Sequence, residues 1–238
     1  MWVLLAFGSS CLPVGIARGQ QPEHGIVFVA GGCGDIGLTA FNLDRVIVKA
    51  GLPLRVTPVD WSTGDIIEDI LNKDDRQRAG QALAECVLAY RKAHPGRKVY
   101  LVSHSAGAGV ILAATQALPA DSVDRIVLLA PGVPSDSDLR RALTVSRGGI
   151  DNFYNRTDEY LKVWAALHSV LGGRPVRAAG DIGFLPMTAT PADAELYSKL
   201  RQYPYRVEWA EIGHHGSHFG VARRVFLSHA VVPLFMTP

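Results

Sequence analysis

The stretch "VYLVSHSAGAGVIL", Val99 to Leu112, decides how this chain is read. Val99 to Val102 is apolar, mostly β-branched or aromatic, as in a strand buried on both faces. Small residues follow, and then an apolar run with helical character. Between them lies a small-x-Ser-x-small pattern, Ser103-His104-Ser105-Ala106-Gly107. A nucleophile on a sharp strand-to-helix bend needs small neighbours, because bulky ones collide with the adjacent backbone. Gly107 and Gly109 would let the following helix lie close to the sheet. The first position of such a bend is usually Gly, and Ser103 departs from that. The competing reading gives Ser105 only a helix-capping role.

On either side of this stretch, strands and helices alternate. "GIVFVA" (25–30), residues 54–59, "RIVLLA" (125–130) and "IDNFY" (150–154) read as strands, with 206–212 as the last one. Helical patterns cover 38–50, 74–93, 139–145, 160–171 and 221–235, and another opens at Thr190-Pro191. In 74–93, Ala79, Ala82, Leu83, Cys86, Val87 and Tyr90 recur three and four apart, which puts them on one face. Pro95-Gly96 stops that helix. The alternation predicts an α/β architecture, a mostly parallel central sheet with helices on both faces. The interval from Ala130 to Ile150 is too short for a large lid. Residues 171–202, with Phe184, Leu185 and Met187, are the other candidate cover, so the lid is expected to be small or absent.

A hydrophobic share of 48% over 238 residues suffices for one large core, so 23–238 is read as a single domain. The formal net charge of +2, without a run of like charges, gives no reason to expect a nucleic-acid partner. Residues 1–22 differ from the rest. Trp2 to Ala17 is apolar and uncharged, yet short of the roughly 20 residues a span requires. Gly15 and Ala17 suit a signal peptidase, although the usual basic start is missing. The expectation is an export signal or an N-terminal anchor, hence an exported or envelope-associated protein. Membrane contact is expected only if that segment is retained, and a cytoplasmic protein if it is not a signal. If that segment, with Cys11, is removed, only Cys33 and Cys86 remain, too few for a disulfide scaffold, and they are read as free, mostly buried thiols.

A second motif competes with the serine bend. Gly32-Cys33-Gly34-Asp35-Ile36-Gly37 fits G-x-G-x-x-G after a strand, and Asp60 closes the next strand. That is the dinucleotide-binding arrangement, implying an NAD(P)-binding oxidoreductase. The same glycine-rich turn would equally serve a hydrolase, which needs unobstructed backbone N–H groups for an oxyanion. The residues downstream discriminate. A serine nucleophile needs an acid after a later strand and a histidine after the last one. Asp158 lies past the C-terminal end of "IDNFY", whereas Asp151 stands at its start, the wrong edge of the sheet. Asp136 and Asp138 are second choices, and Asp158 could also be an ordinary N-cap. The histidines stand in "IGHHGSHFG", where Gly213, Gly216 and Ser217 make a pliable loop. His218 is the preferred base, with His214 and His215 as alternatives. Three histidines could also ligate zinc, but the intervening glycines break the spacing that organises such sites.

From "GIVFVAGG" to its end the chain resembles an α/β-hydrolase. More narrowly, it resembles a bacterial group of lipase-like hydrolases. The residues that carry this are "DWSTG", "YLVSHSAGAGVILAA", "VDRIVLLAPGV", "GGIDNFYNRTDEYL" and "GHHGSHFG". In that group the bend usually reads G-H-S, and the histidine of the final segment corresponds to His218. The resemblance implies Ser–Asp–His chemistry but no substrate; the residues themselves are read as cleaving a small-molecule carboxylic ester, a mechanism that needs no cofactor or metal. Ser105 would be the nucleophile, His218 the base and Asp158 its orienting acid. Ala106 N–H would be one oxyanion donor and the Gly32-Cys33 turn the other. A non-catalytic hydrolase-fold binding protein and an acyltransferase with the same triad are the alternatives.

Overall fold

The computed structural model describes residues 24–35, 37–65, 68–69, 73–170 and 176–236. Among them, six strands form one sheet: β1 (Gly25–Ala30), β2 (Leu54–Pro58), β3 (Val99–His104), β4 (Arg125–Leu129), β5 (Ile150–Tyr154) and β6 (Leu200–Pro204). The order is β2-β1-β3-β4-β5-β6, and every neighbouring pair is parallel. A parallel sheet covered on both faces needs apolar side chains on both sides of each strand, which explains the unbroken runs. Along β1, Ile26 and Phe28 enter one layer, and Val27 and Val29 the other. The first layer is closed by α2 (Lys73–Ala93), α3 (Gly107–Ala117) and α4 (Arg140–Val145), through Leu83, Val87, Ile111 and Leu143. The second is closed by α1 (Leu38–Lys49) and the C-terminal segment, through Leu43, Ile47, Phe226 and Val231.

Further helices among the described residues are α5 (Glu159–Val170), α6 (Ala179–Ile182) and α7 (Pro191–Tyr197). The Thr190-Pro191 start behaves as its chemistry dictates. Thr190 Oγ1 accepts from Asp193 N–H at 3.1 Å, and the Asp193 carboxylate accepts from Thr190 N–H at 3.0 Å. These reciprocal bonds satisfy backbone donors that a helix start leaves orphaned.

The structure departs from the sequence reading at several points. The last strand is β6, not 206–212; Val207–Ile212 is a 3-10 helix with none of its residues buried. Strand β6 is polar in sequence because its partners are polar. Arg201 and Tyr203 reach the Asp151 carboxylate, and Gln202 bonds Asn152 and the Phe184 backbone. Residues 221–235 are not one helix. They run from a 3-10 turn into a short α-helical piece, a π segment and a 3-10 turn at Pro233, which lacks an N–H to continue a regular ladder. On α2, Ala82 is exposed and Ala84 is buried instead. Phe184 is core rather than cover, while Leu185 and Met187 are exposed. Cys33 is a free thiol, but Cys86 is disulfide-bonded, so the reading of two free thiols does not hold. No described helix is long and apolar enough to cross a membrane. The segment read as signal or anchor, 1–22, lies outside the described residues.

Candidate active site

The bend between β3 and α3 is as tight as its small residues permit. Ser105 has φ 52, in the left-handed region that L-residues avoid. Such a conformation costs about 1–2 kcal/mol and persists only where its surroundings enforce it. Here Ser105 N–H donates to the Leu129 carbonyl at 2.9 Å, and the Ser105 carbonyl accepts from Gly132 N–H at 2.9 Å. Position 107 admits only glycine. A Cβ there would stand 2.2 Å from the Ala30 carbonyl oxygen and 2.3 Å from that of Gly31. Ser105 is therefore a strained residue on a rigid corner, not a plain cap; Ala106 is the N-cap of α3 and no side chain caps that helix.

The acid and base meet. His218 Nδ1 and Asp158 Oδ2 are 2.8 Å apart, with both residues almost fully buried. The other Asp158 oxygen accepts from Leu161 N–H at 3.2 Å, so the carboxylate also caps the first turn of α5. Asp158 thus caps a helix start and meets His218 with the same carboxylate. Bonded at Nδ1, His218 keeps its second ring nitrogen, Nε2, buried and without a hydrogen-bond partner. Tyr160 stacks on the His218 ring at 4.5 Å and 16°, and Phe219 meets it edge-on at 5.2 Å.

The other two histidines go elsewhere. His214 is 1% exposed and enclosed by Tyr205, Trp209 and Phe226. Neither of its ring nitrogens has a hydrogen-bond partner, and burial pulls it down to about 4. His215 is exposed. Three histidines that diverge in this way do not share a metal ion. Asp136 and Asp138 are not the partners of His218. Asp138 pairs with Arg140 at the surface, and Asp151 sits at the other end of β5 among arginines.

The glycine-rich turn after β1 lies against the serine. A Cβ on Gly32 would come within 3.1 Å of Ser105 Cβ, 3.7 Å of Ser105 Oγ and 3.4 Å of His104 Nδ1. The amides of Gly32, Cys33 and Ala106 donate to no backbone carbonyl among the described residues. Burial, reinforced by the Asp69 charge, pushes the Cys33 thiol up to about 11, so it stays protonated and inert near neutral pH. The dinucleotide reading meets an obstacle here. A pyrophosphate needs free N–H groups at a helix start. Those of Gly37, Leu38 and Thr39 already bond the Asp35 carboxylate, and that of Gly34 bonds Asp69. Asp60, assigned to the ribose in that reading, is exposed.

Three contributors escaped the sequence reading. His104 Nε2–H donates to the His218 carbonyl at 3.2 Å, and its ring lies 4.9 Å from that of His218. Burial, then the neighbouring His218, pulls His104 down to about 4, so it is a neutral spacer. Asn155 donates to the Gly216 carbonyl at 2.6 Å, tying the loop after β5 to the histidine loop. Asp69 binds the glycine-rich turn. Each acts on a backbone atom far away in sequence, and no side-chain motif announces such a bond.

No family model and no curated protein matches the chain in sequence. Solved structures do match in shape. Aspergillus fumigatus lipase B aligns over 87% of this chain and 52% of its own, at 13% identity and a TM-score of 0.52. A cutinase-like protein from Cryptococcus sp. aligns over 89% and 95%, at 14% identity and a TM-score of 0.47. A CIB-like hydrolase of Thermoplasma acidophilum aligns over 87% and 83%, at 14% identity and a TM-score of 0.49. The chain spans about half the length of the lipase. At such identities likeness extends to the backbone and not to the activity. The six-stranded parallel sheet with its helices agrees with the lipase alignment, and the chain has the α/β-hydrolase fold.

Proposed function

We propose that this protein is a serine hydrolase that cleaves carboxylic esters through Ser105, His218 and Asp158. The observation that carries the reading is the 2.8 Å contact between His218 Nδ1 and Asp158 Oδ2, two buried groups from separate loops, at the sheet edge where Ser105 is held at φ 52. A buried carboxylate on one imidazole nitrogen fixes the tautomer, leaving Nε2 as a proton acceptor.

In the proposed cycle Ser105 Oγ bonds to the acyl carbon while its proton moves to His218 Nε2. The carbonyl electron pair becomes an oxyanion, received by Ala106 N–H and by the turn amide of Gly32 or Cys33. The pair returns, the carbon–oxygen bond to the alcohol breaks, and His218 Nε2–H protonates the departing oxygen. An acyl group then remains on Ser105. Water, giving its proton to Nε2, repeats the sequence and releases the carboxylic acid. Asp158 stabilises the transient imidazolium throughout. The cycle calls on no cofactor or metal. Leu185 and Met187, the exposed large apolar side chains of the described 176–202 segment, offer only a thin apolar cover, which suits short or medium acyl chains.

A fluorophosphonate probe and a panel of esters of rising chain length test this reading. Wild type should be labelled and active, and folded Ser105→Ala should be neither. A well-folded wild type that resists the probe and hydrolyses none of the esters would overturn it.

A further inference from the structure

Between β2 and α2 the chain brings a buried carboxylate, Asp69, against the glycine-rich turn. Its hydrogen bonds are divided between that turn and the segment after β2. Oδ2 accepts from Gly34 N–H at 3.0 Å and from Ser62 Oγ–H at 2.5 Å. Oδ1 accepts from Thr63 N–H at 2.8 Å and from Thr63 Oγ1–H at 3.1 Å. Ser62 Oγ also lies 3.2 Å from Gly34 N–H, so hydroxyl and carboxylate share that amide. Next to them, Trp61 Nε1–H donates to the Gly31 carbonyl at 3.0 Å. The turn is thus gripped at both ends, by an indole at residue 31 and a carboxylate at residue 34. The amides of the two residues between, Gly32 and Cys33, donate to no backbone carbonyl among the described residues, and that of Cys33 meets only its own thiol there.

A buried carboxylate needs a reason to be there, since removal from water disfavours its charge. Burial alone would raise Asp69, but the bonds from Ser62, Gly34 and Thr63 hold it below the usual carboxylate range. The Arg76 guanidinium donates to the Asp69 carbonyl, which brings a positive charge to the same spot. The carboxylate is therefore an anion fixed by many donors, built to hold backbone rather than to exchange protons. Oxyanion donors act through preorganisation, being aimed before charge develops.

Resting on the esterase reading, we propose that Asp69, with Trp61 and Ser62, is a positioning residue that aims the Gly32 and Cys33 amides at the oxyanion formed on Ser105. It touches neither substrate nor nucleophile. Asparagine at 69 would keep the shape but turn an N–H₂ group toward one of the existing donors, so the turn would relax.

The test compares wild type with Asp69→Asn, Ser62→Ala and Trp61→Phe, using a short ester, its thionoester analogue and fluorophosphonate titration of active sites. Per titrated site, kcat should fall about tenfold to hundredfold in Asp69→Asn with KM within about twofold, since the lost interaction belongs to the transition state. Smaller falls should follow in the other two variants, which also serve if Asp69→Asn fails to fold. The preference for the oxygen ester over the thionoester should shrink in parallel, a change that a general loss of stability does not produce. Amide exchange over residues 31–35 should quicken in each variant. Wild-type kcat and unchanged exchange in folded variants would overturn the proposal. If wild type itself is neither labelled nor active, the esterase reading falls, and the exchange measurement alone decides: unchanged exchange refutes the brace.

Discussion

Strand β5 carries a buried aspartate near its start and leads into another just past its end, and the two have opposite fates. Asp151 is fully buried. Its Oδ1 accepts from Arg201 Nε at 2.7 Å and Tyr203 OH at 2.9 Å, and its Oδ2 from Arg201 Nη2 at 2.9 Å and Arg125 Nη1 at 3.1 Å. Every partner is a donor that keeps its proton near neutral pH, so nothing there can cycle. Asp158 is buried almost as deeply, but its partner is an imidazole with a second, unbonded nitrogen. Burial and hydrogen bonds are common to both. On the proposed esterase reading, what separates the two is a partner that can pass a proton on, near the residue that reading makes the nucleophile. The two ends of β5 therefore predict different failures.

The largest effect is expected at the catalytic end. Asp158→Asn should lower kcat by roughly 10⁴-fold, because an amide favours the wrong imidazole tautomer. The unfolding midpoint should move by only a few degrees, because the amide oxygen can still cap α5. Steady-state kinetics beside a thermal melt checks this, and a variant within tenfold of wild type would erase the contrast. At the other end, Asp151→Ala strips a carboxylate from two arginines. Breaking such a buried network costs about 3–5 kcal/mol. Denaturant titration should detect that loss while kcat per titrated site stays within about twofold. A large fall in kcat at full stability would mean that the two ends are not independent.

The same contrast explains what the sequence disclosed. Strands β1, β3 and β4 were legible because they are buried on both faces and so carry long apolar runs, Ile26–Ala30, Val99–Val102 and Ile126–Leu129. The pairing of Asp158 with His218 was legible because a fixed chain order of specific side chains was looked for, and those two do meet, while no hydrogen bond joins His218 to Ser105. Strand β6 was not legible. Its Arg201, Gln202 and Tyr203 are polar, and only the buried Asp151 and Asn152 on β5 make them strand-compatible. Hydropathy cannot register a match between two polar surfaces distant in sequence. The 206–212 stretch, with its scattered Val207, Trp209 and Ile212, imitated a strand; Val207–Ile212 is a 3-10 helix that lays Trp209 and Ile212, half-buried, against the core. His104, Asn155 and Asp69 were missed for a related reason: each bonds a backbone atom, and any residue type can supply one.

The end of β5 that leads to His218 also gathers two groups that answer to acid, the buried His104 and His214. Burial pulls both His104 and His214 from 6.5 to about 4 in the folded chain. Between those values the unfolded chain binds more protons than the native one, so stability must fall as pH drops from 6.5 toward 4. The loss attached to each histidine is on the order of 2–3 kcal/mol once pH reaches 4. Groups near His214 are Asp158, which opposes the shift, and His215 and Arg223, which add to it. His214→Phe fills the same aromatic enclosure without a titrating group. Its unfolding free energy should depend less steeply on pH across that window than that of wild type, and parallel curves would show that His214 is not the acid-sensitive element.

The smallest effect tests whether the catalytic end is held together from β5 itself. Asn155 immediately follows that strand. Its Oδ1 accepts from Thr157 N–H at 3.0 Å and Oγ1–H at 2.9 Å, shaping the turn that delivers Asp158. Its Nδ2 donates to the Gly216 carbonyl at 2.6 Å, on the loop that delivers His218. One amide therefore sets the spacing between acid and base before either is considered. Asn155→Asp keeps the acceptor but loses the donor and adds a charge next to a carbonyl. Asn155→Ala loses both. A lost neutral hydrogen bond is worth about 1 kcal/mol, so kcat should fall about fivefold in the alanine variant, with KM little changed and Asp158 and His218 both intact. The aspartate variant should lose at least as much, because like partial charges would push the histidine loop away. Equal activity in all three would mean that the 2.8 Å contact between His218 and Asp158 is self-sufficient, and that the loop needs no tie to β5.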